Sequence, residues 1–245
     1  MTSVAVLGPG GVGGFVAAAL ARAGVDVTVV AREPTATAIA RDGLEVESVR
    51  LGDFVVHPRA VAMLELRVDV LVVATKAPAL DAALKRVRAE PGLVVPLLNG
   101  IEHLEALRAR FGEAAVAGSI RIAAERVPGP PVRIVHTSPA FRVELAPARD
   151  DVNAFLHVLR TAEIPANVVD SEAEVLWSKL ARLNALACTT AAADAPIGEV
   201  RSHPRWRVRL EGAVVETAAV AAAEGVAVDP ASTLAELHDL RPGHT

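Results

Sequence analysis

The sequence predicts a doubly wound α/β domain followed by an all-helical one, and three observations carry that reading. Short valine-rich runs without polar alternation recur between helical patterns, as in a parallel sheet covered on both faces. A glycine-rich turn joins the first run to the first helix. After residue 169 the strand pattern stops and long alanine-rich helical patterns replace it.

The elements follow in order. "SVAVLG" (3–8) is a β-branched run ending in glycine, a buried strand. "VGGFVAAALARAG" (12–24) is a helix closed by a glycine. "VDVTVVAR" (25–32) is the second strand, and "LEVESVRLGDFVVHP" (44–58) alternates around "LGD" as a hairpin. "VDVLVVAT" (68–75) is another buried strand, followed by a helix over 78–89, a strand over 92–100 and a helix over 102–111. From 114 to 147 the pattern is all strand, with "VPGPP" as a turn. These strands are expected to extend the sheet in antiparallel fashion. A helix (151–162) and a strand (165–169) complete a first domain of residues 1–169. Residues 170–245 form the second domain, with two long helices and the start of a third. Right-handed crossovers make the first domain a Rossmann-type doubly wound sheet.

Composition narrows the function classes. Of 245 residues, 52% are hydrophobic and 22% charged, which describes a packed chain. The net charge is −4 with no run of lysine or arginine, which argues against nucleic acid as a partner. The single cysteine, Cys188, excludes an internal disulfide and points to a reducing, cytoplasmic setting. It reads as a small buried hydrophobe. The first 21 residues lack charge, but five glycines and a proline interrupt them, so they do not read as a signal peptide. No later apolar run is long enough to span a bilayer. The seven histidines are scattered without metal-ligand spacing.

"GPGGVGG" (8–14) contains Gly8-x-Gly10-x-x-Gly13 between a strand and a helix, the context of a dinucleotide cradle. Gly8 permits the tight turn, Gly10 admits a pyrophosphate close to the backbone, and Gly13 lets the helix pack on the strand. Pro9, Gly11 and Val12 complete the loop, whose free N–H groups face the anion. After the second strand the chain reads "AREP". Arg32 can fork onto a 2′-phosphate, which favours NADP(H) over NAD; the other reading gives the ribose to Glu33. Lys76 and Asn99 follow two further strands, where ligands bind in such sheets. Asn99-Gly100 is also explained by turn chemistry alone.

These motifs, with "TKA" (75–77), "LLNGIEHLEAL" (97–107), "LWSKL" (176–180) and "TTAAADAPIGE" (189–199), resemble the ketopantoate reductases, the 2-dehydropantoate 2-reductase family. The resemblance runs in order over nearly the whole chain. It implies NADPH-dependent reduction of a 2-keto acid in pantothenate synthesis. It implies Lys179 as catalytic acid and substrate contact, Lys76 and Asn99 in the cofactor and substrate cleft, and Ala124 as a cofactor contact. The chemistry agrees, because an ammonium stabilises the negative charge developing on a ketone oxygen and donates its proton. Periodicity alone offers a plainer role. Lys179 flanks a stripe of Leu176, Leu180, Leu183 and Ala187 and could lay its methylenes on the surface.

The chain also departs from the family. Leu183, Ala187 and Ile197 stand at positions usually polar there. Asn184 lies about 140° round the helix from Lys179, a weak substitute for a substrate contact. The chain ends at Thr245, where the family's last substrate-binding segment would begin; it is either a shortened form or a variant without the closing helices, and loss of those helices would expose apolar surface of the second domain to a partner subunit, as in a homodimer. The rival expectations are a reductase of another small 2-oxo acid and an NADP(H)-binding relative without catalysis. An opine-type dehydrogenase would want a histidine–acid pair that the second domain lacks.

Overall fold

A computed structural model describes residues 2–169 and 171–243. The chain divides into two compact units, Met1–Glu172 and Ala173–Thr245. The boundary expected at residue 170, and the chain end at Thr245, fall outside the described residues.

The first unit is built on a five-stranded parallel sheet in the order β5-β2-β1-β6-β7. Its strands are β1 (Ser3–Leu7), β2 (Asp26–Val30), β5 (Arg59–Val61), β6 (Val70–Val73) and β7 (Leu93–Pro96). All of β6 and β7 is buried, as the absence of alternation requires when both faces are covered. The strand order reverses between β1 and β6, so the ends of these two strands flank a switch-point crevice.

Helix α1 (Gly11–Arg22) explains its own composition. Phe15 through Leu20 are each at most 1% exposed. One side of α1 meets the parallel sheet. The other meets a four-stranded sheet of β4 (Phe54–Val56), β3 (Leu44–Ser48), β10 (Val132–His136) and β9 (Ala124–Val127). A helix sandwiched this way is apolar all round. Small residues let the layers close: a Cβ on Gly14 would sit 2.5 Å from Ile134 Cδ1. The helix ends before Gly24 at φ +78°, as the glycine predicts. Helix α2 (Glu33–Asp42), with Pro34 in its first turn, and strand β5 are additions to the sequence reading.

The strands over 114–147 correct the expectation that they extend the main sheet. One pair, β9 and β10, joins the hairpin β3–β4 over α1 through parallel pairing of β10 with β3. The other, β8 (Ala117–Arg121) and β11 (Arg142–Ala146), pairs antiparallel and takes β12 (Ala166–Val168) into a three-stranded sheet. A single parallel bridge, Val94 with Ala115, links this sheet to β7. Burying both faces of α1 needed a second layer, which a longer edge could not supply. The helix expected over 78–89 is also shorter. Helix α3 spans Leu80–Leu84, because Leu64 then takes the chain into a bridge, its carbonyl accepting from the N–H groups of Arg88 and Ala89. Helices α4 (His103–Phe111) and α5 (Asp150–Thr161) fall where the pattern put them.

The rest is helical: α6 (Glu172–Ala193), α7 (Ile197–Ser202), α8 (Pro204–Ala223) and α9 (Pro230–Asp239). Ala185, Leu186, Ile197, Val200, Leu210, Val214 and Leu237 form the core of the second unit. The Arg201 guanidinium donates to the carbonyls of Leu237 (2.8 Å), His238 and Leu240 (3.1 Å), holding the end of α9 to α7. Two expectations for α6 are corrected. Leu176, Leu180 and Leu183 are only half-buried and Ala187 is exposed, while the buried face carries Val175, Lys179, Ala181, Ala185, Leu186, Thr189 and Thr190. The threonine hydroxyls satisfy themselves on helix carbonyls, Thr189 on Ala185 and Thr190 on Leu186, so small and self-satisfied residues pack inward. Cys188 is exposed, since it shares the outer face with Asn184, whose Oδ1 is 3.4 Å from its sulfur.

Candidate cofactor site

The glycine loop turns at the carboxyl end of β1. Gly8 has φ +92°, a conformation open to glycine at no steric cost, and its N–H donates to the Val30 carbonyl at 3.0 Å. A Cβ there would lie 2.8 Å from Thr75 Cγ2. A Cβ on Gly13 would lie 2.2 Å from the Gly8 carbonyl oxygen, and one on Gly11 2.0 Å from the Ala124 carbonyl oxygen. Gly10 has nothing within 4 Å of such an atom. Gly8 therefore makes the turn, Gly11 and Gly13 make the packing, and Gly10 leaves open space before the helix. Gly10 is the N-cap of α1 without a side-chain cap, and the first turn holds no acidic residue. The N-terminal N–H groups and dipole of α1 are thus left to an external anion.

Across the switch point, Ala74 N–H donates to the Leu7 carbonyl at 2.9 Å, which seats the end of β6 beside the loop. Thr75 Oγ1 is buried there without a hydrogen-bond partner among the described residues, a cost that a bound polar group removes. Lys76 caps a one-turn 3₁₀ segment. At the end of β2, the Arg32 carbonyl accepts from Thr35 and Ala36, which starts α2. Gly8, Pro9, Gly10, Arg32, Thr75 and Lys76 all line one cleft of about 520 Å³, within the range of small-molecule sites. The orphaned hydroxyl, the open Gly10 and the uncapped helix fit the phosphates of a dinucleotide.

The other expected residues lie elsewhere. Val12 packs against the core, and Ala124 touches Gly11 through its carbonyl. Asn99 is exposed in the turn before Gly100 (φ +89°) and does not line this cleft. In the helical unit, Lys179 is 6% exposed. The Asn184 amide donates to Thr217 Oγ1 at 2.9 Å, so it ties α6 to α8. Arg126, on β9, also lines the cleft and was absent from the sequence reading. No local motif marks it, because its neighbour Thr35 is 91 residues away. Among the described residues no group of three His, Cys, Asp or Glu could hold a metal.

A glycine cradle at the switch point of a parallel sheet defines a dinucleotide-binding protein of the Rossmann class. The family profile described as Ketopantoate reductase PanE/ApbA matches residues 4–149. The chain belongs to that family and is an oxidoreductase. It is 27% identical over 234 residues to the Uncharacterized oxidoreductase YkpB of Bacillus subtilis, covering 92% of this chain and 77% of that protein. It is 35% identical over 191 residues to the 2-dehydropantoate 2-reductase of Mycobacterium tuberculosis, covering 76% of this chain and 62% of that protein. The crystal structure of 2-dehydropantoate 2-reductase from Geobacter metallireducens GS-15 superposes with a TM-score of 0.87 at 25% identity, over 96% of this chain and 81% of that one.

Proposed function

We propose that this protein is an NADPH-dependent reductase that converts a small 2-oxo acid to the 2-hydroxy acid, with ketopantoate as the first substrate to test and pantothenate synthesis as its setting. The observation that carries the reading is the switch-point cleft, with open space at Gly10, an uncapped helix and an arginine at the end of β2. Bound there, the cofactor supplies the hydride. The chain's own residues hold and orient it: the α1 N–H groups take the pyrophosphate, Thr75 offers a hydroxyl, and Arg32 faces the 2′-phosphate. Glu33 is exposed and does not line the cleft, which supports NADP(H) over NAD. Residues 1–169 serve as the cofactor domain and 170–245 as the substrate domain.

Lys179 is the proton donor in this reading. Its 6% exposure speaks against the surface flank, with methylenes on the surface and amine in water, that periodicity alone allows. Its ammonium stabilises the oxygen that becomes negative as hydride arrives and then delivers the proton to it. Lys76 and Asn99 complete the cofactor and substrate contacts, with Ala124 on the cofactor. A homodimer through the helical unit belongs to the same reading, supported by exposed Val208, Val215 and Val220 on α8. For a cytoplasmic setting, the support is that among the described residues no helix is long and apolar enough to cross a membrane.

The test follows NADPH absorbance with ketopantoate and a panel of 2-oxo acids. Oxidation with ketopantoate is the expected result, and oxidation with another acid alone would move the substrate. No turnover across the panel, with NADPH still binding, would replace the enzyme by a cofactor-binding relative.

A further inference from the structure

We propose that Arg126 and Arg32, with Thr35 between them, form a two-guanidinium clamp that reads the 2′-phosphate of NADP(H). The proposal rests on the cofactor reading above and extends it to a residue on a different sheet. Arg32 stands at the end of β2 and Arg126 on β9, and both line the same cleft. Thr35, in the first turn of α2, has its Oγ1 3.5 Å from Arg126 Nη1, a contact at the weak limit of hydrogen bonding. That contact does not satisfy a guanidinium with five donors.

The two arginines also share a lack of carboxylate partners. Arg133, Arg149 and Arg88 of the same unit each reach a carboxylate, on Glu47, Asp151 and Glu65. Among the described residues neither Arg32 nor Arg126 has such a partner. Arg126 is half-buried. Burial first, and then the like charge of Arg32, pull its pKa down from the ordinary arginine value, although an arginine stays charged. Two cations therefore line one cleft, Arg126 half-buried and Arg32 exposed, with no carboxylate paired to either among the described residues. An anion between them reverses both penalties. A phosphate monoester carries close to two negative charges near pH 7, and its oxygens match the guanidinium fork. Glu33 complements the first turn of α2 instead, so the clamp is free of a competing carboxylate. A ribose 2′-hydroxyl uses neither charge.

The experiment titrates the 245-residue chain with NADPH, NADH, adenosine 2′,5′-bisphosphate and 5′-AMP, following heat or cofactor fluorescence. The variants are Arg126→Ala, Arg126→Gln and Arg32→Ala. Wild type is expected to prefer NADPH to NADH and the bisphosphate to 5′-AMP. Either Arg126 variant is expected to raise the Kd of NADPH and the bisphosphate roughly 10- to 100-fold, the size of a lost charge-assisted contact. NADH and 5′-AMP should stay within about twofold. The salt dependence of NADPH binding should weaken. Without ligand, both variants should unfold at or above the wild-type temperature, because removing Arg126 relieves repulsion; a packing role would lower it. Equal losses for NADPH and NADH, or no loss in a folded variant, would overturn the clamp while leaving the NADPH reading intact. A wild type that does not discriminate NADPH from NADH would instead overturn that reading, and the clamp with it.

Discussion

At the scale of single residues, the cleft is set by where a Cβ can and cannot go. Gly13 faces the Gly8 carbonyl, and an added methyl at 2.2 Å meets backbone, which has nowhere to swing. Gly13→Ala is expected to destabilise by about 1–3 kcal/mol, as overpacking does, and to weaken NADPH binding by displacing the cradle. Urea unfolding and a cofactor titration check both. Wild-type affinity in a stable variant would mean the loop tolerates the shift. At Lys179 the issue is charge. Lys179→Ala is expected to lower turnover by roughly 10²–10⁴-fold, the range for a positioned acid, while the Kd of NADPH changes little. Near-normal turnover would return the lysine to a packing role.

Among the elements, α1 carries the greatest load because two sheets close on it. Phe15 is fully buried, 5.3 Å from the Phe141 ring and 4.4 Å from the His136 ring. Phe15→Ala is expected to cost about 3–5 kcal/mol, read as a shift in the urea midpoint. Helix α9 depends on a smaller device. Asp229 accepts from the N–H groups of Ala231 and Ser232 at 3.0 and 3.1 Å, ahead of Pro230 at the first helical position. Asp229→Ala is expected to cost about 1 kcal/mol, detected by hydrogen exchange in α9. Exchange unchanged there would show that the Arg201 clamp, not the cap, holds the helix.

For the whole molecule, acid stability has two stages. His136 is buried, its Nδ1 2.8 Å from Ser48 Oγ and its Nε2 2.9 Å from Ser138 Oγ. Burial lowers its pKa below the usual 6.5, more than the hydrogen bond at Ser138 restores. The folded imidazole thus stays neutral where the unfolded one takes a proton. The unfolded chain then binds more protons, and stability falls as pH drops from about 6.5 toward the folded pKa. Asp69, bonded by the Ser3 N–H, and Asp151, bonded by Arg149, have lowered pKa values. Their stabilisation is lost further down, as pH falls below about 3.8. Thermal midpoints across pH should show both stages, and His136→Gln should remove the upper one. A curve flat down to pH 5 in wild type would mean that His136 titrates alike in both states.

The local parts of the fold and site were legible in the chain. Valine runs without alternation required a sheet with two covered faces, and Gly8, Gly10 and Gly13 required a turn, an opening and a close approach. Those are properties of a few neighbouring residues, so spacing reports them. What crossed layers was not legible. Two of the strands after residue 114, β9 and β10, became part of a second layer because α1 is apolar on every side, a demand visible only once the main sheet covers one face. Leu176, Leu180 and Leu183 yielded the buried face of α6 to a face rich in Ala181, Ala185, Thr189 and Thr190, since close approach favours small side chains over bulky ones. Arg126 met Arg32 and Thr35 only through the packing of β9 over α1. Sequence by itself determined most strands and the long helices, though not α2, β5 or the end of α3, and where the phosphate loop lies, because backbone conformation and periodicity are local. Tertiary structure alone decided which charges from distant segments share one cleft, because that depends on how two sheets close over a single helix.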